Sequence, residues 1–297
     1  MKRVAVIGLG NVGHHCVEAV RAAPDLELAG VVRRNPGDRP PSLSDVPFAK
    51  TVDELGRVDG ALLACPTRSV PEIAAGLLRQ GISTADSFDI HGDTLVELRR
   101  DLGAAAKEGG AAALIASGWD PGTDSIVRAV LEASAPRGVT FTDFGPGMSM
   151  GHTVAVKAIP GVRKALSMTL PAGQGVHRRA VYVELQPGAK GAEVERAIRE
   201  DPYFVRDETR VSFVDDVDAL VDMGHGVVIE RKGVSGSTHN QLFRWEMRIQ
   251  NPALTGQVMT AALRAAMRQE PGCYTLLEIP LADLLPGERE GWIRKLV

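Results

Sequence analysis

The stretch Val4-Ala5-Val6-Ile7-Gly8-Leu9-Gly10-Asn11-Val12-Gly13 decides the fold. Four apolar residues read as a buried strand, and they run straight into a GxGxxG turn. In such a turn the first glycine permits the bend and the second lets the backbone approach a pyrophosphate. The third lets the following helix pack closely, and that helix's N-terminus faces the negative charge. Gly8, Gly10, Asn11, Val12 and Gly13 are therefore candidate dinucleotide contacts. With 32 glycines in the chain a GxGxxG alone says little. Its place directly after an apolar strand gives it weight.

The next strand, Leu26-Glu27-Leu28-Ala29-Gly30-Val31-Val32, settles which dinucleotide is expected. NAD sites carry an acidic residue roughly 20 positions after the motif, where it accepts the ribose 2′-hydroxyl. Here the strand ends in Arg33 and Arg34. A carboxylate would repel a 2′-phosphate, whereas two guanidiniums suit one by charge and by fork geometry. The expected cofactor is NADP(H), although an arginine pair also serves as ordinary solvated surface.

A length of 297 residues allows a real core and two domains. The apolar fraction of 44% and charged fraction of 24% are those of a globular protein. A net charge of -3 gives no broad basic surface for nucleic acid or an anionic membrane. No stretch approaches the ~20 apolar residues of a membrane span, and the first apolar run is too short for a signal peptide. Cys16, Cys65 and Cys273 are odd in number and widely spaced, so reduced thiols and a cytoplasmic location are expected.

To about residue 120, strands and helices alternate as in a doubly wound parallel α/β sheet of Rossmann type. A polar loop, Asn35 to Ser44, follows the first βαβ unit. Val58 to Cys65 reads as a strand ending at Pro66-Thr67-Arg68, and strand carboxyl ends are where ligands sit in such sheets. Cys65, Pro66 and Thr67 are thus candidate cofactor contacts. Ser69-Val70-Pro71-Glu72 reads as a capping box opening a helix. Ile82 to Asp86 and Ala111 to Ala116 are further strands, with a helix from Asp93 to Glu108 between them.

Beyond Asp120 the texture changes. A helix from Asp124 to Ala133 precedes a Gly/Met-rich run, and then come amphipathic strands such as Ala180 to Leu185. Ala192 to Glu200 reads as a helix, Gly226 to Glu230 and Leu242 to Ile249 as strands, and Ala253 to Gln269 as a long helix. The expected plan is a nucleotide-binding domain over 1–120, completed by 251–297. An α+β substrate and dimerisation domain with a mainly antiparallel sheet occupies 121–250.

Polar residues beyond the strand ends are the remaining candidates. Asp89, in Ser87-Phe88-Asp89-Ile90-His91, and Asp120, in Gly118-Trp119-Asp120-Pro121-Gly122, offer two carboxylates able to hold an ammonium group. Capping and turn formation would equally explain them. Thr169, Arg179 and His225 could receive a carboxylate. A solvated strand edge and a loop hydrogen bond are the alternatives there, and Asn251 before Pro252 is an ordinary turn residue. The histidines show no metal spacing, so no metal is expected. No GxSxG elbow is present, so covalent hydrolysis is not expected either.

Taken in order, Ser87 to Asp93, Gly118 to Gly122 and Phe144-Gly145-Pro146-Gly147-Met148-Ser149-Met150-Gly151-His152 closely resemble the meso-diaminopimelate dehydrogenase family. Ala158 to Val162, Met168 to Pro171 and Arg248 to Pro252 fit the same pattern. The resemblance implies NADPH-dependent, reversible deamination of the D-centre of meso-2,6-diaminoheptanedioate to L-2-amino-6-oxoheptanedioate and ammonia, run as reductive amination toward lysine. It implies that Asp89, Trp119 and Asp120 meet the substrate and that Phe144 is an aromatic wall. Met150 and Gly151 would form a loop over the reacting centre, with Thr169, Arg179, His225 and Asn251 holding the distal end. It also implies a homodimer whose two domains close on the substrate.

The chain lacks an insertion that some members carry between Pro171 and His177, which groups it with the compact members, some of which are less strict about substrate. For the chemistry, Asp89 or Asp120 is the expected acceptor of the substrate's amine proton. His152 is either a second relay, since imidazole titrates near neutrality, or an anchor for its loop. A broad D-amino acid dehydrogenase is the rival enzyme reading. A dihydrodipicolinate reductase-like protein and a non-catalytic NADPH sensor are more distant ones.

Overall fold

Val4 and Val6 belong to one buried cluster and their neighbours Ala5 and Ile7 to another. That two-sided burial marks this strand as an interior strand of a doubly covered sheet. A computed structural model describes residues 1–222 and 224–297. In chain order its elements begin with β1 (Lys2–Ile7), α1 (Asn11–Ala22), β2 (Leu26–Val32), β3 (Phe48–Ala49), β4 (Gly60–Leu63) and α2 (Val70–Arg79). β5 (Ser83–Asp86), α3 (Asp93–Gly109), β6 (Ala112–Leu114) and α4 (Thr123–Ser134) follow. Next are β7 (Arg137–Phe144), β8 (Gly147–Met148), α5 (Met150–Lys157), β9 (Val162–Gly173), β10 (Val176–Leu185) and α6 (Gly191–Glu200). The chain ends with β11 (Glu208–Phe213), β12 (Gly224–Ser235), β13 (Thr238–Gln250), α7 (Asn251–Ala266), β14 (Gly272–Tyr274) and α8 (Arg289–Leu296).

The chain divides into two units, Met1–Ala129 with Pro252–Val297, and Val130–Asn251. In the first, seven strands in the order β14-β6-β5-β4-β1-β2-β3 pair in parallel. Leu77, Leu78, Leu98 and Leu102 of α2 and α3 fill one side. Cys16, Val17 and Val20 of α1 and Val258, Met259 and Leu263 of α7 fill the other. Each such side chain contributes about 1.5–3 kcal/mol on burial. Arg264 on α7 forks onto Asp25, with Nε 2.6 Å and Nη2 2.8 Å from the two carboxylate oxygens, tying the returning helix to the start of β2.

The second unit holds a four-stranded sheet, β11-β10-β9-β8, and a three-stranded one, β13-β12-β7. Pairing is antiparallel except between β10 and β11, which run parallel. The helix α6 lies between those two strands in sequence and supplies the crossover a parallel pair requires. Val156, Val181, Val183, Val194, Ile198 and Phe204 form its core. Arg231 on β12 is only 2% exposed. It is tolerated there because Nε donates to Ala135 O at 2.7 Å while Nη1 donates to Glu132 and Thr140.

Three local expectations are corrected. Ser69 does not cap α2: Pro66 already opens a 3-10 turn over Thr67–Ser69, so Ser69 has helical φ and ψ and its side chain makes no cap bond. Met150 and Gly151 open α5 and are not a loop. The C-terminal segment joins the first unit's sheet, where β14 pairs with β6. The first crossing between units falls at Ala129, inside α4, where the sequence placed it at 120. Among the described residues no helix is long and apolar enough to cross a membrane.

Candidate active site

The glycine turn divides its labour residue by residue. Gly8 has φ +94°, a conformation that favours glycine, and a Cβ there would strike Ala64 O. A Cβ on Gly13 would strike the carbonyl oxygen of Gly8, whereas one on Gly10 would meet nothing within 4 Å. The open position is the one a pyrophosphate approaches. Gly10 also precedes α1 without a side-chain cap, and the helix's first turn, which contains Asn11 and Val12, has no acidic residue. Its amides thus suit a phosphate, and the residues present fit a dinucleotide.

The two arginines do different things. Arg33 donates Nη1 to Asp38 O at 2.7 Å and Nη2 to Asp38 Oδ2 at 3.0 Å, bracing the loop that follows β2. Arg34 lines a cavity of about 520 Å³ with Thr51, Asp53, Ser69 and Glu72. Of the pair, Arg34 is therefore the freer phosphate partner, and the two acidic neighbours were not legible from the local motif. Burial and the nearby Asp86 push the Cys65 thiol up to about 11, which leaves it neutral beside Pro66.

At the next strand end, Thr67 donates its hydroxyl to Asp89 Oδ1 at 2.7 Å. This bond joins a cofactor candidate to a substrate candidate. Asp120 follows the buried Trp119, and its Oδ1 lies 3.7 Å from Arg128 Nη1. The same nitrogen is 2.7 Å from Asp124 Oδ2. Burial, then hydrogen bonding to Asp120, push Asp124 up to about 8. The two carboxyls therefore compete for a proton beside the Arg128 guanidinium, which opposes the rise. In the sequence Asp124 stands only as a helix start; its spacing of four from Asp120 and from Arg128 is the available signal.

In the second unit Thr169 and Arg179 are register partners across β9 and β10, and Arg179 Nη1 donates to Thr169 Oγ1. Arg179 Nε donates to Asp207 Oδ2 at 2.6 Å, a partner the sequence did not single out. Phe144 closes β7, and its amide donates to His177 Nε2 at 2.8 Å. His225 lies on β12 opposite Ile249 and hydrogen-bonds through Nδ1 to its neighbour Gly226. Asn251 opens α7. Met150 begins α5, and Gly151 lies near Tyr203, whose ring edge would be 3.6 Å from an added Cβ.

His152 is held by Ser149 Oγ at 2.8 Å and packs edge-on to Tyr203 and Phe204. Burial, reinforced by the charge of Arg179, pushes its pKa down to about 4. The ring is neutral near pH 7. Among the described residues no group of His, Cys, Asp and Glu could hold a metal.

Comparison with known proteins gives these residues a context. The family model "Diaminopimelic acid dehydrogenase C-terminal domain" matches residues 118–178. The chain is 60% identical to the meso-diaminopimelate D-dehydrogenase of Bacteroides fragilis over 296 residues, 99% of each protein. It belongs to the meso-diaminopimelate D-dehydrogenase family. A solved diaminopimelate dehydrogenase of Corynebacterium glutamicum in complex with diaminopimelate has a TM-score of 0.90 at 29% identity, covering 100% of this chain and 99% of that one. An engineered D-amino acid dehydrogenase bound to NADP+ has a TM-score of 0.84 at 28% identity, with 100% and 99% covered. The family fold is thus present from end to end, with the seven-stranded sheet and the mainly antiparallel sheets of the second unit in place.

Proposed function

We infer that this chain is an NADP(H)-dependent amino acid dehydrogenase acting on CH–NH2. It reversibly deaminates the D-centre of meso-2,6-diaminoheptanedioate to L-2-amino-6-oxoheptanedioate and ammonia. The observation that carries the reading is the company of the glycine turn. Two carboxylates, Asp89 and Asp120, stand beyond consecutive strand ends of the same sheet, where an ammonium group needs anions. Sequence identity of 60% over nearly the whole chain supports the same activity. In the reverse direction the reaction fixes ammonia on the way to lysine.

When bound, NADP+ would supply the hydride acceptor for the D-centre. Gly8, Gly10, Asn11, Val12 and Gly13 would hold its pyrophosphate, Arg34 its 2′-phosphate, and Cys65, Pro66 and Thr67 would border it. Asp89 and Asp120 receive the reacting ammonium, and Asp120 is the group we assign to accept its proton. Asp124 and Arg128 orient that carboxylate. Trp119 and Phe144 wall the carbon chain, with Met150 and Gly151 at the reacting end of the second unit's residues. Thr169, Arg179, His225 and Asn251 take the distal head. His152 is assigned the anchoring role, since a ring that stays neutral down to about pH 4 is a poor proton relay at neutrality.

Homodimerisation is supported by large apolar residues exposed on the second unit's strands, among them Val139, Leu242 and Trp245. A cytoplasmic location fits three unpaired thiols. Relaxed D-amino acid scope is a second reading, favoured by the likeness to the engineered D-amino acid dehydrogenase. One assay addresses both: purified protein with NADP+, each stereoisomer of the diamino diacid and a panel of simple D-amino acids, followed by reduced-cofactor absorbance and ammonia release. Turnover with the meso isomer and its absence with the L,L isomer is expected. Equal rates on short D-amino acids would replace the first reading by the second.

A further inference from the structure

Arg179 is not a lone cation. Its Nε donates to Asp207 Oδ2 at 2.6 Å and its Nη1 to Thr169 Oγ1, which uses two of the guanidinium's five N–H donors. Asp207 lies immediately before β11, the strand paired in parallel with the strand that carries Arg179. Both side chains are largely shielded, at 13% and 25% exposure, so their charges are felt more strongly than surface charges would be. The histidines beside them add no charge near pH 7. His152 stays neutral to about pH 4, and burial and Arg179 also push His177 down.

A pocket for a bare carboxylate calls for an uncompensated cation. A pocket for an α-amino acid head, which carries a carboxylate and an ammonium together, calls for a cation and an anion side by side. We propose that Asp207 is a specificity-determining residue: with Arg179 and Thr169 it forms a dipolar receptor for a zwitterionic amino acid head, taking the ammonium while Arg179 and Thr169 take the carboxylate. This rests on the proposed function, whose substrate ends in such a head. A ligand lacking the distal amine would place its carboxylate beside an anion with nothing to balance it, so discrimination comes from repulsion as well as attraction.

The test uses the full chain loaded with NADPH, which permits binding of amino substrates but not their turnover. Calorimetry gives Kd for meso-2,6-diaminoheptanedioate and for D-2-aminoheptanedioate, which differs only in lacking the distal amine. Wild-type protein is expected to prefer the diamino ligand. Asp207→Asn should cut that preference roughly tenfold or more, with weaker diamino binding and equal or tighter mono-amino binding. Asp207→Glu should restore part of the preference. Should the asparagine variant fail to fold, Asp207→Ser carries the same comparison.

Equal losses for both ligands would mean that Asp207 merely props Arg179, and would overturn the proposal. An unchanged ratio would overturn it too. Wild-type protein that prefers the diamino ligand while the variants keep that preference sinks the Asp207 assignment alone. Wild-type protein that binds neither ligand sinks the proposed function with it.

Discussion

Asp86 Oδ1 accepts the backbone N–H of Ala116 at 3.1 Å, across 30 residues of chain. The same oxygen accepts the amide of Phe88 at 2.9 Å, and the Asp86 carbonyl takes the amide and hydroxyl of Ser117. One buried residue therefore ties the loop that carries Asp89 to the loop that carries Asp120. Ala116 sits at φ +51°, a strained conformation for alanine. The bond from Asp86 helps to hold it there.

Asp86→Ala should leave the amides of Phe88 and Ala116 without an acceptor, at about 1–3 kcal/mol each. Asp86→Asn keeps a carbonyl oxygen in place and should cost less. Burial pushes Asp86 up to about 6, so its ionised form is disfavoured in the folded state. Its unfolded pKa is about 3.9, so the stability this group contributes should fall as pH rises from there to about 6, and the asparagine variant should remove that contribution relative to wild type. Urea midpoints across this range measure both effects. An alanine variant as stable as wild type would remove the clamp.

Gly10→Ala and Gly13→Ala should fail differently. An alanine at 10 meets no protein atom within 4 Å, so the melting temperature should hold while NADPH affinity drops. At 13 the methyl collides with the Gly8 carbonyl, so the fold itself should lose stability, by about 1–3 kcal/mol. Thermal melts with and without NADPH separate the two. Undiminished NADPH affinity in the Gly10 variant would put the pyrophosphate elsewhere.

Because Arg33 is engaged by Asp38, the discriminating charge should be Arg34. Arg34→Ala should weaken NADPH on the order of tenfold and leave NADH nearly unchanged. Arg33→Ala should loosen the loop and weaken both. Fluorescence titration of each reduced cofactor decides it; equal losses of the two cofactors in the Arg34 variant would contradict the assignment.

His152 should make the protein acid-sensitive. The unfolded ring takes up a proton near its ordinary pKa of about 6.5, while the folded ring resists until about 4. Between these values the unfolded state binds more protons, so this contribution is complete above the upper value and is lost as pH falls through the window. His152→Gln should flatten the dependence. Asp86 contributes in the opposite sense over the same range, so the readout is the difference between wild type and variant; a profile unchanged by the substitution would show the ring to be open to solvent.

Much of this was legible because local chemistry and tertiary context agreed. Val4 to Gly13 had one workable reading, and the parallel sheet followed from it. Ser69 misled because the capping pattern ignores what precedes it, and Pro66 had already turned the chain. The run Met148 to His152 hid a helix because glycine and methionine there carry no amphipathic period. Asp207 was invisible for another reason. Its partner lies 28 residues away on a parallel neighbour, and that pairing exists only once β11 has docked. Asp86 reads in the sequence as one more strand residue, because its acceptor role toward Ala116, just beyond β6, exists only in the fold.

The strand β14 gives the first unit a peculiar assembly order. Its sheet stays one strand short, and the face covered by Met259 and Leu263 stays bare, until Val130–Asn251 has been synthesised and the chain has come back. During translation the nascent nucleotide half must therefore wait with greasy surface showing, while the inserted half is free to mature first. Ribosome-bound chains truncated before α7 are consequently the species a chaperone would be expected to hold.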